Sequence, residues 1–252
     1  MSKQSSRESR RRALEEAKKA QARRGRRIRL AVIGGGVIAA AAIAVGVTLA
    51  VSGGSSSASA SKPLSALGTL QPAPAAGPLG PESVPIPAAP PLAGTTSAAT
   101  GAAVNGIGCQ TSEQTLFHIH AHLTIFLNGA ARQVPAAIGI PGAVAQQTKA
   151  GPFIDSGTCF YWLHTHAADG IVHIESPVQR NFTLGQFFDE WGQPLRPDVA
   201  GPAHGHVTAL VNGKVFEGNP RNVPLTAHAQ IQLEVGTPLV APESISWTGT
   251  GL

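Results

Sequence analysis

The chain predicts a mostly β extracytoplasmic domain, a sandwich or barrel of hairpins with one short helix, preceded by a single transmembrane helix and a disordered linker. Three observations predict it. Polar and apolar residues alternate strictly from Phe117 to Ile125, asparagine-glycine turns recur, and a 22-residue run without charge, Leu30 to Val51, lies far upstream.

The charge pattern sets the order of the parts. Residues 1–29 hold 12 Lys/Arg and three acids, a net of +9, whereas the other 223 residues carry seven basic and eleven acidic side chains, a net of −4. The basic character belongs to one tail, and nothing in the rest favours nucleic acid as a partner. At about 1.5 Å per residue the uncharged run reaches roughly 33 Å as a helix, enough for a hydrocarbon core of about 30 Å. A positive flank on its N-terminal side places that side in the cytoplasm. Residues 1–29 are thus expected as a cytoplasmic tail and 30–52 as the lipid-embedded anchor, with the remainder outside the cell membrane. A cleaved export signal is the competing reading, because Ala58-Ser59-Ala60 has the form of a cleavage site.

Residues 53–104 are almost entirely Ala, Ser, Pro, Gly and Thr, with one lysine (Lys62), one acid (Glu82) and nine of the 20 prolines. Such a composition predicts a disordered spacer, averaging roughly 40 Å from end to end as a flexible coil.

Residues 105–252 form the folded domain. Along Phe117–Leu127, Phe117, Ile119, Ala121, Leu123, Ile125 and Leu127 share one face, and His118, His120, His122, Thr124 and Phe126 share the other. Asn128-Gly129 closes a hairpin. Phe160–His166 and Ile171–Glu175 flank a second turn, and Val207–Val211 with Lys214–Phe216 flank Asn212-Gly213 in a third. A late strand covers Ala229–Val235. The helix has Thr183 as N-cap, Leu184, Phe187, Phe188 and Trp191 on one face, and Gly192 as its stop.

Eight of nine histidines fall into three groups: His118, His120 and His122; His164, His166 and His173; His204 and His206. In a strand, residues i and i+2 share a face about 6.6 Å apart, close enough for two imidazoles to reach one ion. A four-residue turn at 167–170 sets His164 opposite His173, with His166 and Glu175 on the same face. Three imidazoles and a carboxylate there suit Zn²⁺, Cu²⁺ or Fe²⁺. His118 and His122, about 13 Å apart, cannot both reach one ion in a regular strand. The residues from His120 to Gly129 are echoed from His204 to Gly213, with five of ten positions identical. If the echo is structural, the two His-x-His pairs face each other, complete the metal site or form a second. His228 stands alone and reads as structural.

Cys109 and Cys159 are the only cysteines, and they read as a disulfide, with thiolate ligation by Cys159 as the alternative. Met1 is the only methionine, which argues against a thioether copper carrier. No phosphate-binding loop, nucleophile elbow, His-Glu-x-x-His or Cys-x-x-Cys occurs. Asp189 and Glu190 read as the polar face of the helix, and Trp162, Phe126 and Phe187 as lining for any pocket.

The blocks Phe117-His118-Ile119-His120-Ala121-His122-Leu123, Cys159-Phe160-Tyr161-Trp162-Leu163-His164-Thr165-His166, Gly170-Ile171-Val172-His173-Ile174-Glu175-Ser176-Pro177 and Phe182-Thr183-Leu184-Gly185-Gln186-Phe187-Phe188 resemble a bacterial family of membrane-anchored or exported histidine-rich proteins. That resemblance implies location and a histidine cluster but supplies no activity. A weaker likeness is to cupins, which carry His-x-His in a β-barrel with a glutamate four or five residues on. Here those positions are Gly170 and Ile171.

Together these readings imply a membrane-anchored protein that binds a transition metal, copper or zinc first and iron third, for sequestration or delivery. The alternatives are a mononuclear metalloenzyme and an envelope interaction domain without metal. The protein partner is left open.

Overall fold

The computed structural model describes residues 62–95 and 99–252. The basic tail and the expected transmembrane run lie outside them. Among the described residues no helix is long and apolar enough to cross a membrane.

Fourteen strands and one α-helix follow in order: β1 (Cys109–Gln110), β2 (Phe117–Leu127), β3 (Ala130–Arg132), β4 (Val144–Thr148), β5 (Gly151–Ser156), β6 (Phe160–Tyr161), β7 (Leu163–His164), β8 (Ile171–Ser176), α1 (Leu184–Trp191), β9 (Leu195–Arg196), β10 (Val199–Ala200), β11 (Ala203–His204), β12 (Val207–Val211), β13 (Lys214–Phe216) and β14 (Gln230–Val235). The main sheet has seven strands in the order β13-β12-β14-β2-β8-β7, with β3 also paired to β2. The β14–β2 pair is parallel and the other pairs of this sheet are antiparallel.

The β-rich fold with one short helix is as expected. The sandwich or barrel is not: β13 and β7 end an open sheet, and the other sheets have only two or three strands. The sequence pattern reports which residues face a core, and that is the same for a sheet covered by a helix and loops as for two stacked sheets.

One face of the sheet carries the apolar core. Leu123 and Ile125 of β2, Val172 and Ile174 of β8, and Ile231 and Leu233 of β14 pack with Leu184, Phe187, Phe188 and Trp191 of α1. Thr183 caps that helix through a reciprocal bond pair with Gln186, and Gly192 ends it in the left-handed conformation. Asp189 remains on the polar side, bonded to Arg221 at 2.6 Å. Glu190 does not: it is fully buried, and burial pushes its carboxyl well above the usual range.

The other face carries the histidines, and long segments cover it. Residues of the expected spacer are part of this cover, which corrects that expectation for 71–94. Gln71 bridges to Val240 and Val84 is buried, while further along Pro91 bridges to Gln133 and Leu92 joins the apolar core of the opposite face. Backbone bonds from Gly80 to Val84 and from Ile86 to Pro78 close a turn whose tip is Glu82. Proline fixes much of this backbone in advance, so docking it costs less entropy than the composition suggests. Opposite it, Ile154 of β5 donates to the His166 carbonyl at 2.9 Å, holding the β4–β5 hairpin over the same face. Cys109 and Cys159 form the disulfide, beside the β1–β6 pair.

Candidate metal centre

The register brings three strands' histidines into one row. His164 of β7 is opposite His173 of β8, and His173 is opposite His120 of β2, while His118 is opposite Glu175. The first of these pairings is the one the four-residue turn predicts. Gly170 allows it: its φ is +84°, and a side chain there would meet the Leu123 carbonyl oxygen at 2.3 Å.

The rings touch one another. Those of His164 and His173 stack 5.3 Å apart, and the His173 ring lies 4.5 Å from that of His120 and 4.4 Å from that of His166. Two overlapping quartets result: His164, His166, His173 and Glu175; and His118, His120, His173 and Glu175. Within each, one ligand atom per residue lies within 4.8 Å of the others. All but His118 are buried.

Hydrogen bonds determine where the ring protons lie. His164 Nδ1 is 2.7 Å from the Tyr161 carbonyl oxygen, and His166 Nδ1 bonds the Ile154 carbonyl oxygen. A carbonyl oxygen only accepts, so each Nδ1 carries the proton and, in a neutral ring, each Nε2 is a bare lone pair. These two Nε2 atoms face each other at 3.1 Å. Two acceptors at that distance repel unless a positive charge sits with them. Burial lowers the pKa of both rings, and proximity to His173 lowers each further, so added protons are the costly choice. A metal ion could resolve the conflict, and backbone carbonyls orienting the far nitrogens are the usual support of ligating imidazoles.

His173 is different. Burial opposes its protonation, but hydrogen bonds to Glu175 and Glu82 outweigh this and raise its pKa to about 9. Its Nδ1 is 3.2 Å from Glu175 Oε1 and its Nε2 2.7 Å from Glu82 Oε1. Burial likewise opposes ionisation of Glu175, but bonds to His118 and His173 hold its carboxyl well below the usual range. Glu175 Oε2 and Glu82 Oε2 are buried without a partner. His120 is pushed down to about 3, first by burial and then by His173 and His118.

Glu82 and Glu113 are residues that sequence reasoning missed. Glu113 Oε1 approaches His166 Nε2 at 3.5 Å from the exposed side. Glu82 carried a signal, as the lone acid of residues 53–104.

Three of the expected ligands lie elsewhere. His122 Nε2 bonds the Asp169 carbonyl at 3.0 Å and is in neither quartet. His204 and His206 are exposed. The echoed hairpins both form, with positive φ at Asn128, Gly129, Asn212 and Gly213, but they flank β14 in opposite directions. His122 pairs with Gln230 at one end of β14, and the His206 carbonyl accepts from Gly236 beyond the other. Six residues separate those ends, about 20 Å of strand, so the two His-x-His pairs do not meet. His228 stacks on Trp247, 4.5 Å away, as a structural residue.

The fold and site therefore define an open mixed-sheet domain with a buried histidine and glutamate cluster of metal-binding geometry. No family model, curated protein or solved structure matches this chain.

Proposed function

We propose that this protein holds a divalent transition-metal ion, copper or zinc, outside a cell membrane, for sequestration or delivery. The facing Nε2 lone pairs of His164 and His166 carry this reading. The donors are imidazoles and carboxylates, a set that suits Zn²⁺ and Cu²⁺. Thiolates are not part of it, because both cysteines form the disulfide. His164 and His166 would supply the first two ligands, with His173 and Glu175 beside them and Glu82 orienting His173. The anchor and the outward location rest on the uncharged run from Leu30 to Val51 and its basic flank. Kinship with the histidine-rich exported family rests on the shared blocks alone.

Holding is favoured over catalysis by the position of a cavity among the described residues. It encloses about 350 Å³ between the 73–88 segment, β2 and residues 243–245, and is lined by His122, Phe126 and Asp169 but by no member of either quartet. Trp162 and Phe187, expected to line a pocket, do not reach it. An enzyme needs an open coordination position beside its substrate pocket. His118 and Glu113, each exposed, give the cluster an edge for exchange instead.

Competition of the full chain against a chromophoric chelator for Zn²⁺ and Cu²⁺ tests the reading. Submicromolar binding of either is expected, with at least one ion per chain lost in His164→Ala with His166→Ala; no submicromolar binding, or a stoichiometry unchanged in that variant, overturns it.

A further inference from the structure

The cluster has more donors than one ion can use, and they divide. Ligands 2.0–2.1 Å from one ion at tetrahedral to right angles lie roughly 2.8–3.4 Å apart, and none more than about 4.2 Å. His164 and His166 meet the first condition, with Nε2 atoms 3.1 Å apart, and so do His118 and His120, at 3.0 Å. The two pairs belong to different quartets, on either side of the same two residues, His173 and Glu175.

We infer that the centre holds two divalent transition-metal ions side by side, one on His164 and His166, the other on His118 and His120, with Glu175 shared between them. This rests on the metal-binding reading above and extends it from one ion to two. Glu175 is built for sharing. Its Oε1 lies 3.0 Å from His118 Nε2 and 3.2 Å from His173 Nδ1, and its Oε2 is buried and unpartnered. A carboxylate has lone pairs for two ions, and ions about 3.5–4 Å apart are a common arrangement. His173 lies between the pairs, its ring nearly equidistant from those of His120 and His166. The strand order explains the symmetry: β8 is the central strand of the β2-β8-β7 row and supplies both shared residues, while each neighbour supplies one imidazole pair or its start.

The second pair also differs from the first in access. His118 has 41% of its side chain exposed, whereas the His166 side chain has 4%. The ion on His118 and His120 should therefore exchange first.

The test is Cu²⁺ titration of the full chain, read by bound copper per chain and by electron paramagnetic resonance. Two coppers per chain are expected. Coupling between neighbouring ions should make the integrated resonance at full loading well below the copper content. His118→Ala with His120→Ala should leave one copper with a full-intensity signal, and so should His164→Ala with His166→Ala. A wild-type chain that saturates at one copper, unchanged by loss of His118 and His120, overturns the paired centre and leaves the single-ion reading standing. No bound copper or zinc overturns both. The wild-type stoichiometry and intensity decide the matter even if a variant fails to fold.

Discussion

Glu82 Oε1 lies 2.7 Å from His173 Nε2, a contact between side chains 91 positions apart in the chain. It ties the proline-rich segment to the sheet and places a second carboxylate on a ring that Glu175 already holds. Glu82→Ala should lower the stability of the metal-free protein by roughly 1.5–3 kcal/mol, the range for a bond to a charged group. Glu82→Gln, which can still accept, should cost less. Denaturant midpoints measure both. Equal midpoints for all three proteins would mean that the segment is held without this contact.

The disulfide is structural in this account. Cys109 and Cys159 close a separation of 50 residues, and replacing both with serine should cost about 2–5 kcal/mol. The amount of metal bound per folded chain should not change. A loss of metal in a variant that still folds would bring back thiolate ligation by Cys159.

His204 and His206 should be silent. They are exposed and belong to the far end of β14 from His122. Changing both to alanine should leave metal stoichiometry and affinity within error, as read by the same chelator competition. A two-fold or larger fall in stoichiometry would place the third histidine group in the centre.

Away from the cluster, Glu234 gives a pH signature. It is buried on the polar face of β14, and burial raises its pKa from 4.5 to about 7, despite bonds from Gln232 and the Val240 amide. Between those values the folded chain holds a proton that the unfolded chain has released. Folding then takes up a proton, so this group's contribution to stability falls as pH rises from 4.5 to 7 and levels off above. Glu234→Gln should remove that slope. The difference in stability between wild type and variant, measured from pH 5 to 8, checks it; a constant difference would contradict it.

What the sequence disclosed was local, and what it concealed was long-range. The helix from Leu184 to Trp191, its Thr183 cap and the turns at Asn128-Gly129 and Asn212-Gly213 are written in neighbouring residues and form as read. So does the His164–His173 pairing, because a short turn fixes it. The approach of β2 to β8, which sets His120 on His173, has no local signal, since antiparallel partners 49 to 59 residues apart leave no mark in either strand. The echoed hairpins show the same limit. Their likeness predicted two like structures correctly, but the direction in which each flanks β14 decides where its histidines point, and that is a property of the sheet. Composition misled at residues 71–94, where prolines that look like a spacer stiffen a segment that packs.

The central claim is that the bare nitrogens of His164 and His166 await an ion. Its most direct test is metal content, by mass spectrometry, of the full chain produced without a polyhistidine tag in medium containing trace copper, zinc and iron. At least one tightly held transition-metal ion per chain is expected, with His164→Ala/His166→Ala holding at least one ion fewer. A wild-type chain that emerges without metal and takes up neither Cu²⁺ nor Zn²⁺ at micromolar concentration would contradict it.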